Sequence, residues 1–120
     1  MTTTRSICLT IALALPVCTI AVAPQSASAA PTPQELQQAE ALATEGKLYF
    51  RTKQFDKAAE LFMKAYVKGR SASLVYNAAR AYEEAGKLKQ AIATFEHYQT
   101  LAADDPKGRS AAAGRVAALN

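Results

Sequence analysis

Few side chains in this sequence are suited to catalysis or metal binding. The chain has one histidine, His97, which lies in the polar stretch FEHYQ and is most simply a solvated side chain. Its two cysteines, Cys8 and Cys18, both belong to the N-terminal segment described below. A structural zinc site needs about four ligands, and an activated nucleophile needs an adjacent base. The sequence therefore predicts neither a metal nor another cofactor.

The acidic and hydroxyl side chains have simpler roles than catalysis. Glu83 and Glu84 are adjacent, so on a helix they point about 100° apart and do not form an acid/base pair. Asp104 and Asp105 precede a proline and are typical of a helix cap. No candidate base lies near the later serines, Ser71, Ser73 and Ser110. Since a glycine-rich phosphate loop is also missing from the sequence, we expect the protein not to be an enzyme.

The segment from Met1 to Ala29 has the layout of a secretory signal peptide. A short start with one positive charge, Arg5, precedes an uncharged apolar run from Ile7 to Ala23. Small residues follow this run, and Ala27-Ser28-Ala29 fits an A-x-A cleavage site. We expect cleavage after Ala29, which would release residues 30–120 as a cysteine-free domain in the periplasm or outside the cell.

An uncleaved membrane anchor is the alternative for the same segment. The apolar run contains Pro16 and barely reaches the ~17–25 residues that a spanning helix needs. Small residues follow it instead of a basic flank. We therefore expect membrane association only if this segment is retained.

The charge of the chain is mild. The formal net charge is +4 at pH 7, and loss of Arg5 with the signal peptide lowers it to +3. Basic and acidic residues are interspersed, without a basic run of the kind that follows a phosphate backbone. We therefore expect no nucleic-acid partner.

Apolar periodicity predicts an all-α fold after residue 30. Thr32-Pro33-Gln34-Glu35 fits a capping box with proline at the first helical position. The helix that begins there should run to about Lys53 and bury one face, made of Leu36, Ala39, Leu42, Gly46, Tyr49 and Phe50. A second helix should begin near Phe55 and stop at Gly69.

Three further helices are predicted. The third begins near Ser71 to Ser73 and ends at Gly86. The fourth runs from about Leu88 to Ala102, with its inward face made of Ala91, Ile92, Phe95, Tyr98 and Leu101. Asp105-Pro106 can start a fifth helix, whose apolar stripe is Ala112, Val116 and Leu119.

An internal repeat relates the first two predicted helices to the next two. The equivalent pairs, all at the same spacing, are Gly46 and Ala79, Tyr49 and Tyr82, Ala58 and Ala91, and Phe62 and Phe95. The small residues let two helices approach closely, and the aromatic rings fill the remaining space. Because one such helix pair cannot bury its apolar face alone, a neighbouring pair must stack on it.

This pattern resembles the tetratricopeptide repeat, a helix–turn–helix unit of about 34 residues. The resemblance implies two repeats, at about residues 39–69 and 72–103, closed by a capping helix at about 106–119. The chain departs from the family pattern at Lys53, where a turn glycine is usual, and at Arg70, where a proline is usual. It is most similar to short exported bacterial members of the family.

The resemblance also implies a binding groove, because in this family the first helix of each repeat lines a concave surface that holds a peptide. The matching positions here are Glu40, Ala43, Thr44, Lys47, Phe50 and Arg51 in the first repeat and Ser73, Tyr76, Asn77, Arg80, Glu83 and Glu84 in the second. Of these, the residues expected to bind the partner are Lys47, Phe50, Arg51, Tyr76, Asn77 and Arg80. Two exposed aromatic rings, three cations and an amide suit a peptide with an apolar anchor and an acidic group. The family's full carboxylate clamp is not reproduced, because Ala43 replaces one of its lysines.

These features predict a non-catalytic interaction module or scaffold of the cell envelope that binds a protein or peptide. At the level of single residues, Arg80 can simply pair with Glu83 or Glu84 on its own helix as part of a solvated face. Three alternative functions also stay open. The first is an enzyme whose catalytic residues are not recognised, against which the scarcity of histidine and cysteine argues. The N-terminal segment can be retained, which would make the protein a membrane-tethered subunit. The repeats can instead self-associate into a structural homo-oligomer.

Cleavage of the signal peptide gives the first testable prediction. N-terminal sequencing of the exported protein should read from Ala30 onward, because the A-x-A site ends at Ala29. A protein that keeps Met1 and sediments with the membranes would contradict cleavage and favour the tethered alternative.

Overall fold

The computed structural model describes residues 29–120, and these residues form five helices and no strand. The helices are α1 (Pro33–Arg51), α2 (Phe55–Gly69), α3 (Ala72–Glu84), α4 (Leu88–Leu101) and α5 (Pro106–Leu119). Each helix packs chiefly against the next one in the chain. The all-α prediction is confirmed, whereas the signal-peptide prediction lies, apart from Ala29, outside the described residues. Within residues 29–120, no helix is both long and apolar enough to cross a membrane.

The start of α1 is the predicted capping box. Thr32 Oγ1 accepts a hydrogen bond from the Glu35 backbone N–H at 3.2 Å, and Glu35 Oε2 accepts one from the Thr32 backbone N–H at 2.8 Å. The bond from the Thr32 backbone holds the pKa of Glu35 below its ordinary range, since the donor favours the carboxylate. Two of the unpaired donors at the helix end are thereby satisfied.

Asp105 joins α4 to α5. Its Oδ1 atom accepts a hydrogen bond from the Gly108 backbone N–H at 2.8 Å, and its Oδ2 atom accepts one from the Tyr98 hydroxyl at 3.0 Å. The pKa of Asp105 is lowered by these donors, first by Gly108, while burial raises the pKa of Tyr98. A Cβ atom on Gly108 would overlap both the hydroxyl and the carboxylate, so a larger residue there would displace these two side chains.

Two small residues set how closely α1 approaches α2. A Cβ atom on Gly46 would lie 3.0 Å from Cε1 of Phe62, and one on Gly69 would lie 2.7 Å from the Cβ of Ala39. The prediction that Gly46 marks a helix contact is therefore confirmed. Gly69 was predicted as the stop of α2 but is its last helical residue, and Arg70 takes the left-handed cap position with φ 53°.

The buried side chains form two clusters that share α3. The first joins α1, α2 and α3 through Ala43, Ala58, Ala59, Phe62, Ala65, Leu74, Ala78 and Ala81. The second joins α3, α4 and α5 through Val75, Ala79, Ala91, Phe95, Tyr98, Ala102 and Ala112. Val75 and Phe95 are the largest side chains that are fully buried, and they lie in the second cluster. Because α3 faces both clusters, it fixes the two helix pairs relative to each other.

α5 caps the second repeat as predicted. Ala112 is fully buried against the second cluster, and Val116 and Leu119 pack beside it. An ion pair adds to this contact, because Arg115 Nη1 lies 2.7 Å from Glu83 Oε1 on α3.

Two leucines predicted to point inward do not. Leu36 is 50% exposed and Leu101 is 37% exposed. Since α2 ends beside Ala39, Leu36 lies one turn beyond the helix that would cover it. Leu101 is the last residue of α4, where the chain turns away towards α5. Helical periodicity identifies the inward face of a helix but not how far along it a neighbour extends.

The same turn closes the first helix of each repeat. Lys53 and Gly86, which occupy equivalent positions of the two repeats, both have positive φ, at 61° and 74°. After each turn residue, the next backbone N–H bonds a carbonyl five positions back, from Gln54 to Tyr49 and from Lys87 to Tyr82, both at 2.9 Å. Glycine adopts this conformation without strain, whereas a lysine does not.

Replacing Lys53 by glycine should therefore stabilise the protein. We expect Lys53→Gly to raise the free energy of unfolding by about 0.5–1 kcal/mol, because the strain of a left-handed lysine outweighs the added chain entropy. Lys64→Gly is the matched control, since Lys64 is exposed in the interior of α2. It should destabilise by about 1 kcal/mol. A loss of stability in both variants, measured by urea unfolding, would contradict this account of the turn.

Replacing Ala79 by a larger residue should destabilise the protein. Ala79 is fully buried in the second cluster, so Ala79→Leu should overpack it and cost about 1–3 kcal/mol. Ala93→Leu makes the same change at an exposed position of α4 and should leave the melting temperature almost unchanged. Equal melting temperatures for the two variants would show that α3 and α4 are paired incorrectly.

Candidate peptide-binding groove

A cavity lies between the first helices of the two repeats, α1 and α3. α1 and α3 contact each other much less than each of them contacts α2. α2 packs on both helices and leaves a gap between them. The cavity has a volume of about 510 Å³. Its lining consists of Thr44, Lys47, Phe50, Arg51, Phe62, Tyr76, Asn77 and Arg80. We call this cavity the groove.

The six residues predicted to bind the partner all line this one cavity: Lys47, Phe50, Arg51, Tyr76, Asn77 and Arg80. Thr44 lines it too, whereas five other residues expected on the groove side do not: Glu40, Ala43, Ser73, Glu83 and Glu84. Phe62, in contrast, was expected only in the core. It forms the floor, with 2% of its surface exposed, because Gly46 has no side chain to cover the ring from α1. The pairing of a glycine on α1 with an aromatic residue on α2 is the sequence signal that could have placed Phe62 in the groove.

The two aromatic side chains of the walls are half-buried, which corrects the expectation that they are exposed. The ring of Phe50 packs edge-on against Phe55, with 5.2 Å between the centroids. Tyr76 packs edge-on against Phe95 at 5.5 Å and against Tyr98 at 5.2 Å. Both rings are thereby held in place by the core. These two rings would therefore lose little conformational entropy when an apolar side chain of a ligand packs against them.

Three cations line the groove, and its lining contains no carboxylate. Lys47 and Arg51 form no ion pair with another residue of 29–120. Arg80 Nε lies 3.7 Å from Glu83 Oε2, and Arg80 Nη2 lies 3.9 Å from Glu84 Oε1. These separations confirm the predicted pairing of Arg80 along α3, but they are too long for hydrogen bonds. Arg80 can therefore still donate to a ligand.

Polar groups without protein partners also reach the groove. The side chain of Asn77 is half-buried and forms no hydrogen bond with residues 29–120. Thr44 occupies the equivalent position on α1, in the first repeat, and its exposed side chain likewise lines the groove. An amide offers both donors and acceptors, so Asn77 is suited to pair with the backbone of an extended peptide.

His97, considered above for catalysis or metal binding, does not belong to the lining of the groove. His97 is exposed, and its ring packs edge-on against Tyr66 at 5.9 Å. Among the residues that the structure describes, no group of three or more His, Cys, Asp or Glu side chains is placed to hold a metal ion. The groove instead combines an apolar floor with polar and cationic walls, which is an arrangement for binding.

Comparison with known proteins is consistent with this architecture. A family model of the tetratricopeptide repeat matches residues 39–66 and 72–105, which together make up more than half of the chain. No curated protein and no solved structure gives a significant match. With two matched repeats, each built from a helix pair, this chain belongs to the tetratricopeptide repeat family.

Proposed function

We propose that this protein is an exported, non-catalytic interaction module of the cell envelope, which holds a segment of a partner protein in the groove. Tetratricopeptide repeats generally mediate binding to protein partners and are generally not catalytic. The observation that carries the proposal is the groove itself, because equivalent surfaces of both repeats contribute to one cavity with an apolar floor.

The lining supplies both affinity and orientation. One aliphatic or aromatic ligand side chain that is buried against Phe50, Phe62 and Tyr76 would contribute about 1.5–3 kcal/mol. Micromolar binding requires about 8 kcal/mol. The polar contacts from Asn77 and the cations must therefore supply part of the difference, and they also set the direction of the segment.

The proposed location is supported by the sequence of residues 1–29. Their charged start, apolar run and A-x-A site favour export. The cysteine-free remainder is compatible with an oxidising compartment, since it has no thiol to oxidise or mispair. A scaffold of the envelope would use such a domain to hold another exported protein.

Site-specific cross-linking tests the proposed function in the cell. A photo-crosslinking amino acid in place of Lys47, in the lining of the groove, should yield one or a few discrete adducts with envelope proteins. The same amino acid in place of Lys64, an exposed lysine on α2 outside that lining, should not yield those adducts. If both positions gave the same adducts, or neither gave any, binding in the groove would be contradicted.

A further inference from the structure

One face of α1 is exposed where the equivalent face of α3 is buried. On α3, this face lies in the cluster that α3 forms with α1 and α2, and it consists of Leu74, Ala78 and Ala81. The equivalent positions of α1 hold Ala41, Glu45 and Leu48, and all three residues are exposed. Within residues 29–120, no helix takes the place beside α1 that α2 takes beside α3.

This exposed face carries a large apolar side chain and unpaired charges. Leu48 is 51% exposed, and Ala41 lies about two turns before it on the same side of α1. Glu40 and Arg51 lie about three turns apart along one edge of the face, and Glu45 lies on the other edge. None of these three charged residues forms an ion pair with another residue of 29–120. All five residues line one depression, which we call the outer face of α1.

We propose that the outer face binds the same face of a second copy of this chain, with the two α1 helices antiparallel about a two-fold axis. In such a dimer, the contact that one residue makes with another is made twice, once from each copy. With the axis near Glu45, Leu48 of each copy lies opposite Ala41 of the other, whose small side chain leaves room for the leucine. The same axis brings like edges of the two helices together and so places Arg51 opposite Glu40.

The self-complementary pattern is what identifies a second copy as the occupant. One axis pairs a large residue with a small one and a cation with an anion, without any further adjustment of the two helices. This inference goes beyond the proposed function, because it does not depend on what the groove holds.

Glu45 limits the strength of the contact. It lies beside the axis, so the two copies of this carboxylate face each other and repel, whereas the equivalent Ala78 on α3 is fully buried. Only one helix of each copy takes part, so the buried area lies below the ~1,200 Å² at which stable interfaces begin. We therefore expect a reversible dimer with a dissociation constant of roughly 10–100 µM.

The dimer would carry two grooves. Thr44 and Arg51 line both the groove and the depression on the outer face, so α1 is the wall between them. The two grooves would lie on either side of the paired α1 helices and run in opposite directions. A partner with two binding segments would then gain avidity, because its second segment binds within the same complex.

Analytical ultracentrifugation tests the dimer. The protein purified after export should show a monomer–dimer equilibrium between about 1 µM and about 1 mM. Leu48→Gln should weaken association at least about tenfold, because the two-fold contact loses two leucines. Leu88→Gln makes the same change at a leucine of α4 that is 45% exposed, and it should leave association unchanged. Glu45→Gln should strengthen association by roughly two- to fivefold, because it removes the repulsion at the axis.

Exchange of charges tests the antiparallel arrangement. Neither Glu40→Arg nor Arg51→Glu should dimerise alone, because every pair across the axis then joins like charges. The two variants mixed in equal amounts should form a heterodimer, because each pair again joins opposite charges. Misfolding of either variant would not produce this recovery.

Several results would overturn the proposal. A protein that stays monomeric up to about 1 mM, or that forms larger assemblies without a dimer, would show that a second copy does not occupy the outer face. A dimer that Leu48→Gln leaves intact, or a mixture of the two charge variants that stays monomeric, would show that the copies do not pair in this way. None of these results would bear on the cross-linking test of the groove, which concerns another surface.

Discussion

The close approach of α1 to α2 is the constraint on which the groove depends. Gly46 leaves room for the ring of Phe62, and Gly69 leaves room for the methyl group of Ala39. With α1 held this near, Phe62 is almost wholly buried and yet still forms the floor of the cavity. A larger residue at position 46 would push α1 outward and move the wall that carries Lys47. The packing of α1 against α2 therefore also determines the geometry of the groove.

The second helix pair has small and aromatic residues at equivalent positions, but it contributes to the groove in a different way. Phe95, the equivalent of Phe62, has no exposed surface, because Tyr76 packs on its edge and the second cluster closes around it. The second repeat therefore contributes a wall but no second floor. Phe95 supports Tyr76 from behind, and Glu83 on α3 pairs with Arg115 of the capping helix. Each repeat thus has a distinct role in forming a single site.

Much of the fold follows from local signals in the sequence. The capping box at Thr32, the Asp105-Pro106 start of α5 and the regular spacing of small and aromatic residues are all short-range or periodic, and they predicted the helices and their pairing. The groove residues came from the family resemblance, which supplies the concave side that periodicity alone does not identify. The contact of Arg115 with Glu83 was not predicted, because it joins residues 32 positions apart and depends on how α5 lies across α3.

Binding in the groove is tested most directly by amide and side-chain NMR spectra of the exported protein, recorded during titration with a peptide that has been selected for binding to it from a random display library. Binding between the two repeats predicts that the largest shift changes fall on α1 around Lys47 and Arg51, on α3 around Tyr76 and Arg80, and on the side-chain amide of Asn77. The outer surfaces of α2 and α4 should change little. Shift changes concentrated on α2, α4 or α5, with Asn77 unaffected, would contradict the assignment of this groove as the binding site.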